Sequence, residues 1–417
     1  MANVTERPRL LFLCQTLPYP PNGGVLIRTY NILRLLARDF EITALCFYRA
    51  GSHGTSGDVR AAVDALRRLA RVEAFPIPQE HNRPRFVADH VRSILARRPY
   101  TIYAYESAEF RGRLREHLRT EGFDMVHLDS LDLAAYFPLL RHLPVVCVHH
   151  NVESDLLRRR AQTIGGLSGA YVAFQSSLVE KEERDLCPAI DLNVAVSHPD
   201  KATLLSIAPG ARFAVVPNGV DTESFRPGDQ QEEGIVFVGS HSWHPNRDAM
   251  EYFCSCVLPL LRTGGVKDRV TWVGRASPHV ILEYAERYDV KLTGFVDDIR
   301  PIVQRAACYI APLRSGGGTR LKILDAWAMG KAVVSTVVGC EGLEARDGEN
   351  ILVRNSPEDF AAAVASVLQD SDLRMRLGNA ARKTAVSIYD WELIGDGMLK
   401  EYLSVLANRD PSSPERV

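Results

Sequence analysis

The segment YIAPLRSGGGTRLKILDAWAMGKAVVST, residues 309–336, restricts the fold more than any other part of the chain. The apolar run from Ala306 to Pro312 reads as a buried strand. Gly316, Gly317 and Gly318 follow, and Thr319 to Met329 has a helical period. Gly330 stands where a helix stop belongs, and Ala332 to Ser335 reads as the next buried strand. Strand, glycine turn, helix and strand make one βαβ unit. Its turn presents spare backbone N–H groups at a helix N-terminus, which suits an anion. Arg320 and Lys322 are predicted in the first helical turn, where the helix dipole disfavours cations, and a bound anion would account for both. By itself the turn fits neither the dinucleotide fingerprint nor the P-loop, and a plain βα turn explains it as well.

A second unit of the same kind opens the chain. Arg9–Cys14 reads as a strand, LPYPPNGG as a rigid loop ending in Gly23-Gly24, then a helix from about Val25 to Arg38 and a strand at Glu41–Phe47. Further strands are expected at 123–128, 144–148 and 192–196. They are followed by Asp129-Ser130, by His149-His150-Asn151-Val152-Glu153 and by Ser197-His198. Ligands of parallel sheets bind beyond the carboxyl ends of the strands, so two adjacent histidines there favour a role in a cleft. Ala214–Arg226 reads as a strand running into a Pro-Asn-Gly turn. A second strand series follows at 233–239, 270–274, 290–295, 308–311 and 333–335. Ser356-Pro357-Glu358-Asp359 is a helix start. Helices are expected over 360–386 and 391–406.

With 417 residues and a net charge of −1, the chain suggests two domains and no nucleic-acid partner. No apolar run reaches the ~20 residues that span a bilayer. The amino-terminal residues read as a first strand rather than a signal peptide. The eight cysteines are scattered without zinc spacing and read as reduced, mostly core thiols of a cytoplasmic protein. The Arg-rich stretch 83–119 reads as solvated helix faces in preference to a membrane-surface face, because acids interleave with the arginines.

With these residues laid out, the chain resembles the retaining glycosyltransferases of family 4, also called group 1. The matching pieces are the Gly23-Gly24 loop, Pro217-Asn218-Gly219-Val220-Asp221, Phe237-Val238-Gly239, Val273-Gly274, Gly294-Phe295-Val296-Asp297-Asp298, and Leu324-Asp325-Ala326 through Gly330 to Val334. The resemblance implies an α/β fold of GT-B type, two Rossmann-like parallel-sheet domains facing across a cleft. Residues 1–210 would form the acceptor-side domain and 211–387 the nucleotide-sugar domain, with a final helix (388–410) packing back on the first. It implies a UDP- or GDP-linked sugar donor, no cofactor and no metal. The acceptor would be a small molecule, a lipid-linked group or a glycan, with peripheral membrane contact allowed. Carried over by position, Gly23 and Gly24 would approach the donor diphosphate, as would the Gly316–Thr319 turn. Gly239 belongs to the donor site, the backbone at Val296 would meet the base, and Asp325 would accept from the ribose hydroxyls. His149 or His150 would face the transferred sugar.

Three positions depart from the family pattern. The first acid of its Glu-x7-Glu motif falls on Gly317, its Arg after the first strand of the second domain on Ser240, and its phosphate-binding Lys on about Asn246. Arg320 and Lys322 are the expected replacements for the missing cations. A sugar-nucleotide epimerase or a non-catalytic sugar-nucleotide binder are the alternative readings.

Overall fold

The computed structural model describes residues 7–49, 56–80, 82–229, 232–316 and 320–408. Gly317, Gly318 and Thr319 of the glycine turn lie outside the described residues. The chain forms two compact units, one of Met1–Val216 with Gly395–Val417, the other of Pro217–Ile394.

The first unit holds a seven-stranded sheet ordered β3-β2-β1-β4-β5-β6-β7. Its strands are β1 (Arg9–Cys14), β2 (Glu41–Tyr48), β3 (Arg71–Pro76), β4 (Met125–Leu128), β5 (Val145–Val148), β6 (Leu192–Ala195) and β7 (Phe213–Val215). Every pairing is parallel. Uninterrupted apolar strands such as RLLFLC can bury both faces, which is what helices on both sides of a parallel sheet provide. One face packs Phe47, Phe75, Phe110, Leu114, Tyr136 and Phe137 into a common core.

The second unit holds a six-stranded parallel sheet ordered β10-β9-β8-β11-β12-β13. Its strands are β8 (Ile235–Val238), β9 (Val270–Val273), β10 (Val290–Leu292), β11 (Cys308–Ala311), β12 (Val333–Ser335) and β13 (Leu352–Val353). Cores cover both of its faces, centred on Trp272 and Phe360 on one side and on Trp327 and Tyr309 on the other. In both sheets the chain reverses direction of winding beside the first strand, between β1 and β4 and between β8 and β11. The crevice at such a point is where doubly wound folds bind ligands.

Several expectations shift. The predicted strand at 214–226 shrinks to β7, which pairs with β6, so the first unit runs to Val216 rather than 210. The helical stretch expected over 360–386 consists of the helices Pro357–Gln369 and Ser371–Ile388. Asp370 caps the second by accepting from the Asp372 and Leu373 amides. Ser356 caps the first, as its sequence signature predicts. β13 escaped the sequence reading because only two residues pair. In the last helix (Trp391–Ala407), Trp391 and Ile394 pack on Gly219, whereas Tyr402 packs on Phe40 of the first unit. The Arg83–Ala96 helix departs most from expectation, since its outward face is largely apolar.

Candidate functional site

In the second unit the polar groups gather beyond β8, β9 and β11. The helix expected from Thr319 begins later and spans Leu321–Ala328, with Arg320 at its N-cap position rather than in its first turn. Arg320 is nevertheless buried, and its guanidinium folds back over Gly316. Gly316 has φ +118°, and a Cβ there would meet an Arg320 nitrogen at 3.0 Å. The backbone thus favours glycine, and a side chain there would also crowd the arginine above it.

Lys322, half-buried, points across to the neighbouring loop. Its Nζ donates to Asn246 Oδ1 at 2.6 Å and lies 4.4 Å from the centre of the Phe237 ring. Asn246 in turn donates to the Ser240 carbonyl at 2.9 Å. The lysine side chain therefore reaches Asn246, one of the two positions where the sequence lacks the expected cations, and Asn246 links it to the other, Ser240. Burial, and then the positive Arg320, push the Lys322 ammonium down to about 7. Asp325, one turn further on, is pushed up to about 7 by burial. Lys322 and Asp325 do not pair with each other among the described residues.

Gly239 closes this corner. A Cβ on it would lie 2.6 Å from the Asn246 side chain, and the Trp272 indole donates to its carbonyl at 2.7 Å. Gly274, with φ +154°, sits against the Gly239 carbonyl. Its backbone pairs with Gly294, which leads into Phe295 and Val296. Phe295 is exposed, with the Arg275 guanidinium 4.6 Å from its ring centre, and Val296 is half-buried beside it in sequence.

In the first unit the sites divide in a way the sequence left open. His149 Nε2 is 3.0 Å from Asn193 Oδ1, and its ring packs near Phe213 and Cys187. Burial pushes it down to about 4, so it is neutral. His150 instead places Nε2 3.3 Å from Asp129 at the end of β4. Asp129 also accepts from Thr29 Oγ1 at 3.2 Å and faces His127 at 3.6 Å. His127 stacks on Phe12 and meets the Tyr402 hydroxyl at 2.7 Å. Burial would raise the Asp129 carboxyl, but His150 and His127 beside it hold it well below the usual range. Sequence reading placed Asp129 at a strand end but gave it no partners. Thr29 and Arg28, fully buried on the Gly24–Leu36 helix, left no readable signal within its amphipathic pattern. Gly23 is the N-cap of that helix and Gly24 its first residue, with open space around a Cβ at Gly23. Asp132, just past β4, is raised to about 6 by burial and then by Glu153 past β5.

An open cavity of about 610 Å³ lies at the opposite ends of β1–β3, lined by Arg7, Arg9, Arg68, Arg71 and Glu41 among others, away from these groups. Among the described residues no three His, Cys, Asp or Glu side chains group as a metal site.

Two family models match the chain, Glycosyltransferase Family 4 over residues 22–224 and Glycosyl transferases group 1 over residues 232–370. The protein belongs to the group 1 glycosyltransferases. Among curated relatives, the phosphatidyl-myo-inositol mannosyltransferase of Mycobacterium tuberculosis is 27% identical over 320 residues, 70% of this chain and 77% of that protein. The lipopolysaccharide core biosynthesis glycosyltransferase LpsE of Rhizobium meliloti is 33% identical over 122 residues, 29% of this chain and 34% of LpsE. Among solved structures, HepE of Anabaena in complex with UDP-glucose superposes with TM-score 0.65 at 14% identity, covering 95% of this chain and 99% of HepE. At that identity the likeness concerns the fold, which is GT-B.

Proposed function

We propose that this glycosyltransferase moves a sugar from a UDP- or GDP-linked donor to an acceptor hydroxyl, with retention of configuration and without a metal ion. The observation that carries the reading is the reach of Lys322 to Asn246, beside buried Arg320. Arg320, and Lys322 once a diphosphate raises its ammonium, supply from one helix start the charge that a leaving diphosphate needs. Asp325 takes the ribose hydroxyls, for which a carboxylate is the natural double acceptor. Gly23, with open space where a side chain would stand, and Gly24 after it are assigned to backbone contact with phosphate. Val296 offers backbone to the base. His150, oriented by Asp129, is assigned to the transferred sugar, and His149 to holding β5 and β6 together through Asn193.

In the reaction, the bond between the sugar C1 and the phosphate oxygen breaks while the acceptor oxygen bonds to C1 on the same face. The acceptor proton passes to the leaving phosphate oxygen, and the products are a glycoside and a nucleoside diphosphate. Negative charge grows on the diphosphate, so Arg320 and Lys322 act most strongly in the transition state. The acceptor is assigned to the first unit near Asp132 and Glu153. Polyol acceptors are supported by the names of two relatives, a phosphatidyl-myo-inositol mannosyltransferase and a D-inositol 3-phosphate glycosyltransferase.

Product analysis tests the reading. Chelator-treated protein is incubated with a panel of nucleotide sugars, with and without polyol and lipid-linked acceptors. Acceptor-dependent release of nucleoside diphosphate and a glycoside with the donor's anomeric configuration is the expected result. Conversion of the donor without acceptor would instead indicate an epimerase. Turnover that appears only on adding Mn²⁺ or Mg²⁺ would remove the metal-free part.

A further inference from the structure

The Glu153–Ile164 helix begins without a side-chain cap of its own. Val152 stands at its N-cap position, and a valine side chain cannot accept from the free amides of the first turn. The accepting group comes from another helix. Glu183, near the end of the Gly166–Leu186 helix, accepts from the Ser154 amide at 3.3 Å and from the Ser154 hydroxyl at 2.5 Å. The Ser154 carbonyl accepts from Ser176 Oγ at 2.7 Å. Every polar group of Ser154 is thus held from the neighbouring helix. All three residues are buried, Ser154 completely and Glu183 to within 1%.

Stability alone would favour another arrangement. Among the described residues no cation pairs with Glu183, and burial pushes its carboxyl up to about 7. A serine or aspartate in place of Val152 would cap the helix locally, and an apolar residue in place of Glu183 would spare the burial of a carboxyl. Nor do the two helices need this contact to stay together. They approach closely at Gly169, where a Cβ would lie 2.8 Å from the Ala161 carbonyl, and Arg158 pairs with Glu180 at 2.6 Å.

What the contact fixes is the place of a short segment. The chain runs from the end of β5 at Val148 to the helix start at Glu153. On the strand side His149 is tied to Asn193. On the helix side Ser154 is tied to Glu183 and Ser176. Between the two ties stand His150, 3.3 Å from Asp129, and Asn151, which donates to Glu153 Oε1 at 3.0 Å. We propose that Glu183 is a positioning residue for the transfer reaction, holding the His150–Glu153 segment through Ser154. The role rests on the assignment of His150 to the transferred sugar and of the acceptor to the region of Asp132 and Glu153. Glu183 is buried behind that segment and acts through Ser154, so its removal should disturb the acceptor and the chemical step and spare the nucleotide, which is assigned to the second unit. Small displacements of such groups cost large factors in rate.

Amide hydrogen exchange and steady-state kinetics on Glu183→Ala and Glu183→Gln test it. Alanine removes the acceptor. Glutamine keeps an acceptor oxygen for the Ser154 amide, and its own amide can donate to Ser154 Oγ. Glu183→Ala should speed exchange over residues 150–156 by about tenfold, lower kcat by about 10–100-fold and raise the acceptor KM, with nucleoside diphosphate affinity unchanged. Glu183→Gln should restore most of each loss. Ser154→Ala, which removes the hydroxyl bond alone, should show the same pattern at smaller size, and it carries the test if Glu183→Ala does not fold. Unchanged exchange, faster exchange with kcat and acceptor KM unchanged, or a glutamine variant as impaired as the alanine one would overturn this role and leave the transferase reading in place. A parent protein without acceptor-dependent turnover would overturn the transferase reading and this role with it.

Discussion

Lys322 and Asp325 have opposite charges and are both displaced toward neutrality, for one reason. Each is taken out of water, among the described residues without a partner of opposite charge close enough to compensate, and Lys322 also faces Arg320. Their displacement gives a signed prediction. At pH 8 the free lysine, at about 7, is mostly neutral, and a diphosphate would raise it, so binding should take up a proton. At pH 6 the free Asp325, also at about 7, is mostly protonated, and ribose hydroxyls donating to the carboxylate would lower it, so binding should release one. Calorimetry in buffers of differing ionisation enthalpy reads both. Lys322→Met should abolish the uptake and spare the release. Uptake that persists in Lys322→Met would assign the proton to another group. Separately, Asp325→Ala should weaken donor binding by about 1.5–3 kcal/mol, and unchanged nucleotide affinity would remove the ribose role.

The adjacent histidines show how one element can carry two roles. Successive residues leaving a strand point to opposite sides, so His149 turns to Asn193 and His150 to Asp129. His150→Ala should lower turnover by about 10–100-fold with its folding intact. His149→Ala should mainly destabilise, by about 1–3 kcal/mol, since it strands the buried Asn193 carbonyl. Melting temperature and turnover measured on both variants separate the two, and the reverse pattern would exchange the assignments. At this scale much was legible from sequence. Fully apolar strands and their polar ends located the two sheets, and the Ser-Pro-Glu-Asp signature located a helix start. What could not be read was pairing across distance. Lys322 and Asn246 are 76 residues apart, and only the missing cations at Ser240 and Asn246 hinted that some side chain must come in from elsewhere. The outward apolar face of the Arg83–Ala96 helix was hidden for a related reason. Its periodicity shows a stripe but not which stripe faces in, and the partners that satisfy Asp89 and Ser93 come from other segments.

Across the whole molecule, the last helix ties remote sequence to the first unit's switch point. Tyr402 meets His127 at 2.7 Å, 275 residues away, and His127 faces Asp129, which faces His150. Every member is buried, so the cost of breaking the chain is high. Tyr402→Phe should cost about 1–3 kcal/mol in urea unfolding by leaving His127 unpaired. Asp129→Asn should cost more, about 3–5 kcal/mol, because the buried positive charge of Arg28 loses a counterion. A Tyr402→Phe variant as stable as the parent would show that the helix is held by packing alone.

The central claim is that Arg320 and Lys322 grip the donor diphosphate. It is tested most directly by titrating the protein and its Arg320→Ala and Lys322→Met variants with a nucleoside diphosphate and with the matching nucleoside. The account predicts that each substitution weakens diphosphate binding by about 10–100-fold, at about 1.36 kcal/mol per decade, while nucleoside binding holds. Equal losses for both ligands, or unchanged diphosphate binding in both variants, would contradict it.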